Sequence, residues 1–128
     1  MLRAKQIPLA LDVVNYDGIT ASLLLQRDGA LLGSAGEGLA ELDDRIVSAI
    51  VSNIWTEFEV CGKDNIKGGG LKVMLLQLEK GRLGVASTGG EYLVCVYAQE
   101  SVKFGLIKAK LEALQRYFDD QMSQIEPL

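Results

Sequence analysis

Very little in this chain of 128 residues is equipped to make or break a covalent bond. It contains no histidine, so both the commonest general base and the commonest metal ligand are missing. Its serines therefore have no imidazole to activate them. Cys61 and Cys95 stand far apart and form no CxxC pair. Cys95 lies within the apolar run YLVCVYA, as a small core residue would, and Cys61 is expected to end a helix. Thiols used in that way fit a reducing compartment. Asp43-Asp44 and Asp119-Asp120 are adjacent carboxylates, placed to cap or flank helix ends rather than to share a proton. No catalytic, cofactor-binding or metal-ligating residue is expected, and no cofactor.

Two glycine-rich stretches resemble phosphate cradles at first sight. GSAGEG (33–38) follows a strand and precedes a helix, as a dinucleotide loop would. Its G-x-x-G-x-G spacing is not the fingerprint, and its strand comes from a hairpin rather than a parallel unit. KGGGLK (67–72) leads into a strand and lacks the GK[ST] ending of a phosphate loop, so it reads as a connector. An enzyme is not expected.

Composition narrows the partners. Hydrophobic residues at 48% and charged residues at 23% are those of a globular protein, and the length is that of one domain, 1–128. A net charge of −4 with no basic run argues against nucleic acid. The apolar stretch near the start is broken by Pro8 and Asp12, so no signal peptide is expected. No run approaches membrane-spanning length, position 2 is not glycine, and the chain ends IEPL, so direct membrane insertion and the common lipid anchors are not expected. The expected compartment is the cytosol, with any membrane address supplied by a partner.

The elements that must position these residues are legible from punctuation and period. Leu9 to Val14 is the apolar part of a short helix, with Pro8 in its first turn. Ile19 to Gln26 and Ala30 to Ala35 form a hairpin about Asp28-Gly29, the pair that suits a type I′ turn. A second helix runs from about Glu41 to Val60, with acidic residues in its first turn and Gly62 just past its end. Three strands follow, Leu71 to Glu79, Arg82 to Ser87 and Glu91 to Ala98. The last of them is apolar on both faces and so central in its sheet. A final helix starts near Ser101, a good N-cap. It carries an apolar stripe of Phe104, Ile107, Leu111, Leu114 and Phe118, and Lys103, Lys108, Lys110 and Arg116 are expected to face away. The fold class is α/β, in the sense of an α+β sandwich. Its order is helix-strand-strand-helix-strand-strand-strand-helix, with a five-stranded, mainly antiparallel sheet and helices on both faces.

The second helix has too much apolar surface for one neighbour. At about 100° per residue, Leu42, Ile46, Ile50, Ile54 and Phe58 form one stripe and Val47, Val51 and Trp55 another beside it. Ala49 extends the first, and the whole covers roughly 240° of arc against the ~100° minimum of an ordinary surface helix. Either another element of the same chain clamps the helix against the sheet, or two copies of such a helix pack side by side across a dimer. Trp55 favours the second reading, since tryptophan is enriched among interface anchors. The remaining sector holds Ser48, Ser52 and Thr56. It is either a solvated helix back or, being small, a face that admits a second layer of helices.

Taken with that element order, several segments resemble the roadblock, or dynein light chain seven, family. They are MLR, SLLLQRDGALLG, VSNIW, KGRLGV, YLVCVYA and FGLIKAK, and they span nearly the whole chain. They look most like one branch, the roadblock adaptors of the late endosomal and lysosomal Ragulator complex. The loop of Gly68 to Gly70 and the STGGE turn depart from the pattern. The resemblance implies a non-enzymatic scaffold that heterodimerises with a sister roadblock subunit, is held by a lipid-anchored scaffold subunit, and docks Rag GTPases in TOR and MAP kinase signalling. It implies recruitment through partners to the cytosolic face of the late endosome or lysosome. It implies pairing through the second helix and the strand after it. Ile46, Val47, Ile50, Val51, Ile54, Trp55 and Phe58 would then be divided between core and seam, with Leu71, Val73 and Leu75 on the pairing edge. A docked GTPase pair would supply the second layer over Ser48, Ser52 and Thr56.

A dynein light chain, a homodimeric regulator of a small GTPase, or a small-ligand sensor would share this element order. The sensor would need convergent polar groups on inward strand positions. Few are visible. The missing histidine and phosphate loop carry a first prediction: the purified chain releases no phosphate from GTP. A phosphate-release assay checks it, and turnover abolished by Lys72→Ala would overturn it.

Overall fold

The computed structural model describes residues 5–36, 43–63 and 73–123. Its elements follow the expected order: α1 (Gln6–Asp12), β1 (Ile19–Gln26), β2 (Leu31–Gly36), α2 (Asp44–Lys63), β3 (Val73–Gln77), β4 (Gly81–Thr88), β5 (Tyr92–Gln99) and α3 (Phe104–Ser123). The strands form one sheet in the order β2-β1-β5-β4-β3. Every neighbouring pair is antiparallel. β5 lies at the centre, as its apolar run requires, and the two edges are β2 and β3.

Alternation along the inner strands builds a core on each face. On one face Leu24 of β1 and Val94 and Val96 of β5 meet α1 and α3 through Ile7, Leu11, Ile107, Leu111 and Phe118. On the other, Leu23 and Leu25 of β1, Cys95 of β5 and Val85 of β4 meet Val47, Val51 and Trp55 of α2. One face thus has two helices and the other has one. Gly84 on β4 is part of the reason α3 sits so close: a Cβ there would come within 2.6 Å of Ile107 and 2.7 Å of Leu111.

Several boundaries differ from expectation, each for a local reason. α1 ends at Asp12 rather than at Val14, while Pro8 lies in its first turn as expected, where its missing N–H costs nothing. The β1–β2 turn is not type I′, because Gly29 has a positive φ and Asp28 does not. Gly29 N–H donates to the Gln26 carbonyl at 2.9 Å, and Gln26 N–H donates to the Ala30 carbonyl at 2.8 Å. That is a longer loop, a turn followed by a left-handed glycine. Asp43 caps α2, its Oδ1 accepting from Arg45 N–H at 2.8 Å. The expected start at Glu41 lies outside the described residues. The helix then continues through Gly62 to Lys63 instead of stopping before that glycine. Ser101 does not cap α3. Residues 99–102 first make a turn, Val102 N–H to the Gln99 carbonyl at 3.0 Å, and Lys103 offers its carbonyl to Leu106 and Ile107. Lys103, Lys108 and Arg116 are exposed as expected, but Lys110 is buried.

Among the described residues no helix is long and apolar enough to cross a membrane. The weight carried by α2 on its own face sets the second prediction. Trp55 is 1% exposed, so Trp55→Ala should lower the unfolding free energy by about 3–5 kcal/mol. Ile50→Ala, outside the core, should change it by no more than about 0.5 kcal/mol. Denaturant melts of both variants at low protein concentration check this. Equal costs would mean α2 is turned differently on the sheet.

Candidate functional site

The roll of α2 about its axis decides which of its apolar residues reach the sheet. Two serine hydroxyls set that roll. Ser48 Oγ donates to the Gly29 carbonyl at 2.7 Å. One turn later Ser52 Oγ donates to the Arg27 carbonyl. Both serines are buried. Gly29 allows the approach, since a Cβ there would lie 3.3 Å from Ala49 Cα. The hairpin tip therefore covers the small polar sector, and the expectation of a solvated or partner-receiving face at Ser48 and Ser52 is corrected. Thr56 is exposed, but its Oγ1 donates back to the Ser52 carbonyl at 2.9 Å within the helix.

The same roll divides the apolar arc. Val47, Val51 and Trp55 turn onto the sheet and are buried there. Of the set expected to be divided between core and seam, these three fall to the core, and their inclusion among interface residues is corrected to that extent: their own sheet covers them. Ile54 is half-buried at the margin of that core. Ile46 and Ile50 turn outward and are 55% and 49% exposed, and Phe58 is 56% exposed. On a helix these residues recur at steps of four, so they make one continuous apolar ridge.

Beyond β4, strand β3 ends the sheet, and no strand pairs with its outer edge among the described residues. Its sequence, VMLLQ, carries no charge and no proline. Those are the devices that usually blunt an edge strand. Met74 and Leu76 lie on the α2 side of this strand, Met74 buried and Leu76 partly so. Val73 belongs to the α1–α3 side, and Leu75, two residues on, shares its face. Leu75 remains exposed. Leu71 lies outside the described residues. The expected set of Leu71, Val73 and Leu75 thus follows one face of the strand and misses Met74 and Leu76 on the other. The period of two in VMLLQ was the available signal.

Several polar groups at the ends of the strands and helices are occupied with structure. Asp119 Oδ1 accepts from Thr88 Oγ1 at 2.7 Å and from Gly89 N–H at 2.6 Å, pinning the β4–β5 turn to α3. Arg82 lies over the Phe104 ring, 4.3 Å from its centroid. Its Nη1 donates to the Val102 carbonyl at 2.9 Å and its Nε to Gln77 Oε1 at 2.9 Å. Those bonds join the end of β3 to the start of α3. Burial pushes the Cys95 thiol well above its ordinary pKa, so it stays protonated and a poor nucleophile. Among the described residues no cluster of histidine, cysteine and carboxylates could hold a metal. What the chain offers is an exposed apolar ridge on α2 and an open strand edge at β3, features that suit association.

A family model described as the Roadblock/LC7 domain matches residues 9–98. A Caenorhabditis elegans protein called "Ragulator complex protein LAMTOR2 homolog" is 29% identical over 125 residues, 98% of this chain and 96% of that one. Among solved structures, Myxococcus xanthus MglB superposes with a TM-score of 0.86 at 14% identity, over 100% of this chain and 97% of that chain. A Roadblock/LC7 domain from Streptomyces avermitilis gives 0.78 at 16% identity, over 91% and 97%. These structural likenesses concern the fold alone.

The third prediction comes from the exposed ridge. Ile46→Asp with Ile50→Asp should leave the fold intact, because neither side chain enters the core. The same pair should abolish association of the isolated chain. Sedimentation velocity across a concentration series checks it. The wild type should self-associate or precipitate, since Ile46, Ile50 and Phe58 expose large apolar side chains along one helix and contiguous apolar surface of that kind marks an association site. A wild type that stays monomeric at high concentration would contradict it.

Proposed function

The chain belongs to the Roadblock/LC7 family, and on that premise we propose that it is a non-enzymatic scaffold subunit of a Ragulator-type complex, the second subunit, which works by pairing with a sister roadblock protein. Two observations carry this reading: the uncovered apolar ridge of Ile46, Ile50 and Phe58 on α2, and the uncharged, proline-free edge strand β3 at one end of the sheet. Two such chains, set ridge to ridge with their β3 edges adjoining, would join two sheets into one. Each would cover what the other exposes. The similarity to the worm LAMTOR2 homolog, which runs over nearly the full length of both chains, supports choosing the Ragulator branch.

The seam on this reading consists of Ile46, Ile50, Ile54 and Phe58 from α2 and the β3 edge at Val73 and Leu75, with Leu71 before it. Val47, Val51 and Trp55 hold the helix in place from beneath. The whole chain, 1–128, acts as one roadblock domain. Apolar burial supplies the affinity, and main-chain hydrogen bonds along β3 supply the register. Recruitment to the cytosolic face of late endosomes or lysosomes would pass through a lipid-anchored scaffold subunit. The assembled pair would then dock Rag GTPases in TOR signalling and support MAP kinase signalling.

Co-expression with candidate sister roadblock subunits, followed by size-exclusion chromatography with light scattering, tests the proposal. The expected product is a 1:1 heterodimer that forms in preference to any self-associated species and is lost in Ile50→Asp. A chain that remains a stable homodimer in the presence of every sister subunit would overturn the reading.

A further inference from the structure

The exposed ridge on α2 carries an acid at each end. Its middle is apolar, with Ile46 and Ile50 exposed and Ile54 half-buried. Asp43, which caps the helix, and Glu57 are both exposed. Each stands seven residues from Ile50, one before it and one after. Seven residues make close to two full turns, so Asp43 and Glu57 fall within about 20° of the line through Ile50. Steps of four drift about 40° each, so Ile46 and Ile54 flank that line and Phe58 leaves it. Read along the helix, the line is acid, apolar, acid, with about 10 Å from its centre to either charge.

Neither acid is neutralised by its own chain. No lysine or arginine pairs with Asp43 or Glu57 among the described residues. Arg45 is two residues from Asp43, about 200° round the helix, and so lies on another side. Asp44 is half-buried next to Asp43 and adds to the negative end.

A second copy of this chain therefore fits the ridge badly. Two sheets joined by a two-fold axis between antiparallel β3 edges bring their α2 helices together on one face, running in opposite directions. With Ile50 at the crossing, Ile50 meets its own counterpart and Ile46 meets Ile54 of the other copy. Asp43 then meets Glu57 of the other copy, and the symmetry repeats this at the far end. Parallel helices do no better, since each acid would meet itself. Like charges set against each other suppress a wrong partner, as they do at the flanks of coiled-coil seams.

On the reading that this ridge is a pairing seam, we propose that its acidic ends choose the partner: they disfavour a second copy of this chain and fit a sister roadblock subunit whose second helix carries Lys or Arg at both ends of its own apolar ridge. Burial of Ile46, Ile50 and Ile54 drives association with either chain. The charges decide between them, and a sister with acidic ends would be rejected as this chain rejects itself.

Reversing one charge tests this, because it acts in opposite directions on the two pairings. In Glu57→Lys a self-pair gains an attractive contact with Asp43 at both ends. Self-association, measured by sedimentation velocity, should tighten about tenfold at low salt, and most of that gain should vanish at about 0.5 M salt. Asp43→Asn, which keeps the capping oxygen, should reduce the gain. Affinity for the sister subunit that forms the 1:1 heterodimer should instead weaken about tenfold in Glu57→Lys. A folding defect would weaken both pairings and could not give opposite signs. The inference is overturned if Glu57→Lys moves the two affinities in the same direction or moves neither. A gain that salt and Asp43→Asn leave whole would also overturn it. Failure of the underlying reading looks different: no sister subunit pairs, or Ile50→Asp leaves every association unchanged, and the choice of partner falls with it.

Discussion

The structure depends on how one helix is seated. A five-stranded sheet with two apolar faces needs cover on both, and α2 alone covers one of them. Hydrophobic burial holds a helix down but is non-directional, so it does not choose the helix's roll. The hydroxyls of Ser48 and Ser52 do, because each must reach a specific carbonyl of the β1–β2 hairpin tip. A buried hydroxyl without a partner would cost about 1–3 kcal/mol. With the serines turned to the hairpin, Val47, Val51 and Trp55 fall on the sheet and Ile46 and Ile50 fall outside it. The exposed ridge is therefore a consequence of how the core is built.

The same asymmetry governs the sheet edges. α2 is drawn toward the hairpin, on the β1–β2 side. The flank of the helix turned away from the hairpin faces the β3 end of the sheet. That flank carries Ile46 and Ile50, which stay exposed, and the sheet's open edge lies at the end away from the hairpin. At the β3–β4 corner, Arg82 links the end of β3 to the start of α3 through Gln77, Val102 and Phe104. The edge is thus held in extended form, ready to pair, without a partner having to order it first. Pre-ordering of this kind lowers the entropy cost of association.

Much of this was legible in the residues, and the misses have physical causes. β1 was read to its observed limits, Ile19–Gln26, because turn residues bound it on both sides. The stripe on α3 and the central place of YLVCVYA followed from period alone. The excess width of the apolar arc on α2 was also visible, but its division was not. Periodicity gives the angles between residues and leaves their common origin undetermined. Trp55 was drawn toward the seam by composition statistics that carry no azimuth, and its indole went into the core. A Ser-Ser-Thr sector looks alike whether it faces water, another helix or two carbonyls. Lys110 was assigned to solvent by its charge, and the ring of Tyr16 that receives it lies in a distant loop. The turn at Asp28-Gly29 was misjudged because the dipeptide does not report loop length.

The account stands on the claim that the outer face of α2 and the edge of β3 form one pairing surface. Hydrogen exchange by mass spectrometry measures it directly, comparing the chain bound to the sister roadblock subunit proposed for it with the Ile50→Asp chain as the unpaired reference. Backbone amides of Val73–Gln77 should slow strongly on pairing, those of α2 from Ile46 to Phe58 should slow with them, and those of β2 should not change. Protection that appears along β2 while β3 exchanges freely in both states would contradict the claim.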